Sequence, residues 1–320
     1  VVVIFGKTFI LTYISLIIQI VGKSINNYNS SKYSYSQEGK LIMIPLDDVD
    51  KCYPLINERA QRFLSEQELK QYRSLPQNEV EHQLKLLLES PIAHFTVVNE
   101  VYFRARWAEV FEALQLGDDL TLLEVASGDA DMVPQVMART HPNSTYITAN
   151  MNKSLTTSLL QKTLGLPLHM KVIEEDAAYL EKHLPSGSVD LIVFQHAVND
   201  IIQAILCGQA GIDTIHTDWM ETLPAMIKLL QQEVASGTLE VHAMQPFITL
   251  IHTLLKSLRT DGIIAMNHYM FQLDLDWGYP EDLFENIIPL TRRWLNGIQG
   301  CEEIFIPGFD RQWWIFLQKR

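Results

Sequence analysis

The chain has 320 residues, 47% of them hydrophobic, and a formal charge of −13 with a pI near 5.2; it is long for one domain, short for two large ones, and apolar enough to bury a sizeable core. An acidic balance with no block of Lys and Arg argues against a nucleic-acid surface, because sequence-independent affinity for phosphates rests on clustered cations. Three scattered cysteines, Cys52, Cys207 and Cys301, with no CxxC, no zinc spacing and no HExxH, read as reduced thiols of a cytoplasmic protein and predict no metal site.

Residues 1–22, VVVIFGKTFILTYISLIIQIVG, carry one charge, Lys7. A membrane span takes about 20 mostly apolar residues, and the length fits if Lys7 snorkels to an interface. Three readings stay open: a membrane anchor, a signal peptide with a poor n-region and no small-x-small cleavage site near Gly22, and an upstream start that the cell does not use. The segment is therefore kept out of the fold reasoning. Residues 23–40, rich in Ser, Asn and Tyr, read as a linker, because they cannot bury enough surface to offset chain entropy.

A helical lead-in is expected over 41–117. Ser65 and Glu68 form a capping box ahead of LKQYRSL. Ser90-Pro91 predicts a helix start, since Ser caps and Pro suits the first helical position. That helix runs through IAHFTVVNEVYFRARWAEVFEAL to a stop at Gly117. Ile92, Phe95, Val98, Val101 and Tyr102 recur near helical spacing. The lead-in is expected to pack on the domain that follows; a lid whose Tyr102, Arg104, Arg106 and Trp107 touch a ligand is the second reading.

From residue 118 the texture alternates. LTLLEVA is an apolar run suited to a buried parallel strand, and DMVPQVMART a helix with Pro134 in its first turn. STYITAN and KSLTTSLLQKTLGL repeat the pair, the helix ending at Gly165. LHMKVIEED gives a third strand, AAYLEKHLP a short helix and SVDLIVFQHAV a fourth strand. FITLIHTLLKSLRTDG is a helix with a glycine stop, and IIAMNHYM a fifth strand. Alternation of this kind predicts a doubly wound, mostly parallel α/β sheet. CEEIFIPGFDRQWWIFLQKR breaks it with two strands around a tight turn, which predicts an antiparallel hairpin at one edge. Ligands in such folds bind beyond the carboxyl ends of the strands, which narrows the search to 124–131, Asn150, Asp176 and 195–200.

At these residues the sequence resembles the class I S-adenosylmethionine-dependent methyltransferases, over roughly 90–320 and most clearly over 120–200 and 250–270. EVASGDAD looks like the family's first loop, with Glu124 as the acid and Gly128 as the middle glycine; Ala126 and Ala130 stand at the other two glycine positions. Asn150 stands where the family has a ribose-binding acid, and Asp176 with Ala177 where it meets the adenine. The resemblance implies S-adenosylmethionine held by Glu124, Ala126, Ser127, Gly128, Asn150, Met151, Asp176, Ala177 and Gln195. LLKSLRTDGIIAM resembles the helix, turn and strand five of the family, with Asp261-Gly262 at the turn.

A nicotinamide-binding loop needs G-x-G-x-x-G, and only Gly128 of that pattern is present. Asp129 and Asp131 would also repel a pyrophosphate, whereas a sulfonium tolerates them. Candidate groups for chemistry follow strand four: Gln195, His196, Asn199 and Asp200. His196 is the candidate base, since imidazole titrates near neutrality; the alternative is a histidine that only shapes the pocket. His268 and Tyr269 form a second pair, with a structural role at the sheet edge as their alternative. Residues 201–246 exceed what a crossover needs and are expected to cover the acceptor site, with Trp219 and Met220 as apolar walls or core. NPPY and Pro-Cys loops are absent. A small-molecule acceptor is the first expectation and a protein acceptor the second. A binding or scaffold module of the same fold is the alternative class, and aminopropyl transfer a narrower one. Oligomeric state is not legible.

Overall fold

The computed structural model describes residues 49–320. The apolar segment 1–22 and the linker 23–40 lie outside the described residues. No helix among the described residues is long and apolar enough to cross a membrane.

Seven strands build one sheet: β1 (Thr121–Val125), β2 (Thr145–Ala149), β3 (His169–Ile173), β4 (Val189–Gln195), β5 (Leu258–Asn267), β6 (Cys301–Glu303) and β7 (Trp314–Lys319). Their order is β3-β2-β1-β4-β5-β7-β6. The first five are parallel, and β7 pairs antiparallel with both β5 and β6. The expected doubly wound sheet with a C-terminal hairpin is therefore what the chain forms. Apolar residues point both ways from each central strand. Leu123, Val125, Ile147 and Ala149 enter one core, while Leu122, Tyr146, Leu191 and Val193 enter the other. That two-sided burial explains why these strands are mostly apolar rather than alternating.

Helices α1 (Val49–Phe63), α2 (Glu66–Arg73), α3 (Gln77–Leu87), α4 (Val97–Ala113) and α5 (Met132–Thr140) supply the core that contains Leu122 and Tyr146. On the other face lie a 3-10 helix (Ala177–Lys182), α7 (Val198–Ala210), α8 (Trp219–Ser236), α9 (Leu239–Ser257) and α11 (Glu281–Leu295). Two more helices, α6 (Lys153–Lys162) and α10 (Gln272–Asp276), begin at strand-end loops. Three helices, α7 to α9, thus fill the crossover from β4 to β5.

Several boundaries differ from expectation. The Ser65–Glu68 capping box is present, but α4 does not start at Ser90-Pro91. Thr96 caps it instead, in a reciprocal box with Asn99. Ile92 is held in backbone bonds to the 270–272 segment, with its N–H on Met270 O at 2.9 Å and its carbonyl taking Gln272 N–H at 3.0 Å. The helix ends at Ala113 rather than Gly117, and Gln115 already has φ 50°. Nor is α4 amphipathic: it is buried on every face, including Arg104, Arg106 and Glu109. Its charges are answered inside the protein, which is what such a helix requires. Arg104 donates to Phe63 O at 2.9 Å and to Glu68 at 3.0 Å, and Arg106 pairs with Glu109 and lies 4.0 Å over the Phe309 ring. These arginines belong to the packed lead-in.

Helix α6 ends at Lys162 rather than Gly165, and α9 at Ser257. The β4–β5 register jumps from Val189↔Leu258 to Leu191↔Ile263, so residues 259–262 loop out opposite Asp190. Asp261 sits at φ 60° in that loop. A Cβ on Gly262 would fall 2.7 Å from Leu258 Cγ and 2.9 Å from Arg259 O, so a larger residue there would push both aside.

Candidate functional site

The strand order reverses between β1 and β4, and a crevice beyond the carboxyl ends of the strands forms at such a switch point. The loop leaving β1 turns sharply there. Ala126 has φ 54° and Gly128 φ 59°. Alanine tolerates this left-handed region poorly, and its N–H is fixed to Ala149 O at 3.0 Å.

Asn150 holds the next peptide. Its Nδ2 donates to Gly128 O at 2.6 Å while its Oδ1 accepts from Gly128 N at 3.1 Å. A carboxylate could not make both bonds, since it only accepts; the amide at this family acid position therefore serves as a clamp on the loop. Ser127 Oγ bonds Thr148 Oγ1 at 2.7 Å. Lys162 ties Asp129 through both its carboxylate, at 2.6 Å, and its carbonyl, at 2.9 Å. The loop is thus fixed to β2 and α6 at three successive residues.

Glu124 reaches this network through Tyr146, whose hydroxyl also hydrogen-bonds with Ser127 and Thr148. It is 1% exposed and accepts from Tyr146 Oη at 2.5 Å across β1 and β2. Burial first, and then the Glu124 charge, push the Tyr146 phenol well above its ordinary range, so it stays a donor. Side-chain alternation puts Glu124 on the face of Leu122 and Tyr146, toward the lead-in core.

Asp176 is exposed at the end of β3 and caps the 3-10 helix, with Oδ1 accepting from Ala178 N at 2.8 Å. Ala177 is buried behind it, and Met151 is half-buried after β2. Gln195, at the end of β4, takes two donors on Oε1: Trp107 Nε1, and Asn267 Nδ2 at 2.9 Å. The expected residues therefore form three groups: Ala126, Ser127, Gly128 and Asn150 as one network; Asp176 with Ala177; and Gln195 with His196.

His196 stands at φ 52°, held there by its N–H on Asn267 Oδ1 at 2.9 Å. Its ring stacks on His268, 4.2 Å between centroids and 7° between planes. His196 Nδ1 accepts from Tyr269 N at 3.4 Å, and Nε2 lies 3.8 Å from Asp274 Oδ2. The bond to Nδ1 places the ring proton on Nε2, on the Asp274 side. His268 is fully buried and both its ring nitrogens lack a partner; burial lowers its pKa to about 3, so it is a neutral ring. Behind it, Phe284 joins Tyr279 at 4.4 Å, and Tyr279 Oη donates to Gln203 Oε1 at 3.1 Å.

Sequence reading missed Asn267, Asp274, Gln203 and Tyr279. Asn267 ends an apolar strand run, which is a legible signal; the other three lie on helices and a loop that only the fold brings to β4. Trp219 is half-buried and Met220 is 46% exposed, so Met220 is not core.

No family model matches the chain, and no curated protein matches it. Among solved structures, it is similar to an S-adenosylmethionine-dependent methyltransferase from Aquifex aeolicus (10% identity, 67% of this chain and 88% of that one, TM-score 0.40). It is also similar to a precorrin-6y C5,15-methyltransferase from Geobacter metallireducens (12%, 68% and 89%, TM-score 0.37) and to the CurJ carbon methyltransferase (12%, 83% and 68%, TM-score 0.42). Likeness at this level carries no argument about substrate or catalysis. Strand order and direction, described above, are those of a doubly wound, mostly parallel α/β sheet with one antiparallel hairpin.

Proposed function

We propose that the protein is an S-adenosylmethionine-dependent methyltransferase acting on a small molecule. The observation that carries this reading is the switch point between β1 and β4, with the left-handed turn at Gly128, the Asn150 clamp and the exposed Asp176 carboxylate all just beyond the carboxyl ends of parallel strands.

The donor set fits this cofactor. Asp176 offers an exposed acceptor for an amino group. A Cβ on Gly128 would meet only Leu155 Cδ1, at 3.8 Å, so the loop leaves room over the glycine. Lys162, the cation at the loop, is engaged by Asp129; this suits a sulfonium better than a pyrophosphate. Asp176 and Ala177 would hold the adenine end, and Ser127, Gly128 and Met151 the remainder. Asn150 uses one N–H and one oxygen lone pair on Gly128, which leaves a second of each for a ribose hydroxyl.

S-adenosylmethionine, when bound, supplies a sulfonium-borne methyl group for direct displacement by an acceptor lone pair. The protein's own part is alignment, which can supply most of the rate in such a reaction. Gln195 and Asn267 fix the end of β4 and with it the backbone of His196. With its proton on Nε2, His196 orients by donating, and the Asp274 carboxylate is the proton-accepting pole of the pair.

A second reading, a binding or scaffold module on the same fold, is favoured by Ala126 in the left-handed region and by the Asn150 clamp. Titration of S-adenosylmethionine followed by a labelled-methyl screen over small acceptors separates the two: binding with transfer supports the enzyme, and binding with no transfer across a broad screen supports the module.

A further inference from the structure

We infer that Gln195 is a specificity-determining residue whose amide Nε2 donates to an oxygen of the bound small molecule, so that a carboxylate or similar oxygen group is taken at that point and an amine is refused. Calling that molecule the methyl acceptor rests on the methyl-transfer reading; the donor itself does not.

The direction of this amide is fixed. Gln195 is the last residue of β4 and pairs in register with Asn267, the last residue of β5. Its Oε1 receives Trp107 Nε1 from α4. An indole N–H only donates, so the amide atom that meets it is the oxygen. Asn267 is fixed in the same way from its other end. The His196 backbone N–H, which also only donates, reaches Asn267 Oδ1 at 2.9 Å. That turns Asn267 Nδ2 toward Gln195 Oε1, again at 2.9 Å. Two donors of fixed sense thus occupy the Gln195 oxygen, and neither amide can turn over without setting donor against donor.

Nε2 is left facing away from both. It donates to no group among the described residues, and it is not one of the buried atoms without a partner. At a half-buried residue, this N–H2 therefore reaches the molecular surface. Register places it: Glu124 is level with Val193, so Gln195, two residues on, comes level with Ala126 in the loop after β1, across the switch point.

A fixed donor discriminates by sign. A carboxylate or phenolate oxygen accepts from Nε2 in a charge-assisted bond. An ammonium has donors only and would be set N–H against N–H. A free glutamine would adapt by turning its oxygen outward, but here Trp107 and Asn267 hold that oxygen.

The test is titration of the full chain with benzoate and benzylamine, a pair that shares one ring, followed by proton–nitrogen correlation spectra with the Gln195 side-chain N–H2 and the Trp107 indole N–H as reporters. Benzoate should shift the Gln195 signals and bind about tenfold or more tightly than benzylamine, the range expected of a charge-assisted bond. Gln195→Glu keeps an oxygen for Trp107 and Asn267 and puts a second oxygen where Nε2 stood, so it should reverse the preference. Equal binding of the two probes by the wild type, binding of neither, binding that leaves the Gln195 signals in place, or a preference unchanged by Gln195→Glu overturns the inference. Displacement of benzoate by S-adenosylmethionine would give the donor to the cofactor and overturn it as well. The wild-type spectra stand even if the variant does not fold. A separate S-adenosylmethionine titration distinguishes the two proposals: oxygen preference without cofactor binding removes the methyl-transfer reading and keeps this donor, and cofactor binding without oxygen preference does the reverse.

Discussion

Asn150 carries the sharpest residue-level consequence. An acid at this place could accept from Gly128 N but would set a negative oxygen against Gly128 O. Asn150→Asp is therefore expected to lower stability by about 1–3 kcal/mol, read as a fall in urea midpoint at constant slope, and not to tighten cofactor binding. A tighter cofactor complex in this variant would show that the position serves the ribose as in the family. His268 gives a pH signature. The unfolded chain takes up a proton below about pH 6.5, which the folded protein takes up only near 3. Stability from this group is complete above the first value and is lost as pH falls toward the second, by up to about 1.4 kcal/mol per pH unit. His268→Phe should be as stable as the wild type or more so at pH 7, and should lose less stability between pH 7 and 4.5. Equal acid slopes would mean that the ring has a partner. Residue types alone could not show either point: Asn150 and His268 were visible, but whether an amide clamps a loop or a ring is sealed off depends on neighbours distant in sequence.

At the scale of elements, the strands were the most legible, because short, mostly apolar segments such as TLLEV and VDLIVFQ, set between helical patterns, have few other uses. The helix starts were less so. Ser90-Pro91 carries a good local start signal, yet Ile92 is taken by the backbone of the 270–272 segment, and the helix waits for the Thr96–Asn99 box. The β4–β5 crossover was visible as an excess of chain, but not its attachment. Asn152 caps α6 by accepting from Ser154 N at 3.1 Å, while its Nδ2 reaches Thr217 O at 3.2 Å and Thr214 O at 3.5 Å. One amide thus ties the loop between α7 and α8 to the start of α6, next to Met151. Asn152→Asp keeps the cap and removes the tie, at a cost of about 1 kcal/mol. Amide exchange should then quicken in residues 211–218 with little change in α6. Equal quickening in both would mean the substitution has damaged the cap.

The described residues form one sheet with a buried core on each face, and the candidate site lies beyond the carboxyl ends of its parallel strands. Sheet order, hairpin and the general location of the crevice could be read from the alternation of patterns. The network within the crevice could not, because Lys162 on Asp129, Trp107 on Gln195 and Asp274 near His196 are contacts across distant parts of the chain. The partner of Glu124 was equally hidden: side-chain alternation turns it toward Tyr146, on the neighbouring strand.

The most direct test of the central claim is calorimetric titration of S-adenosylmethionine and S-adenosylhomocysteine into the full chain, with Asp176→Ala and Asp176→Asn alongside. The account predicts a Kd on the order of 10 µM or tighter for the wild type and a loss of about tenfold or more in Asp176→Ala. It predicts a similar loss in Asp176→Asn, which keeps the Ala178 cap but not the charge. No binding to the folded wild type, or binding indifferent to Asp176, would contradict it and leave the turn after β1 as a link between strand and helix.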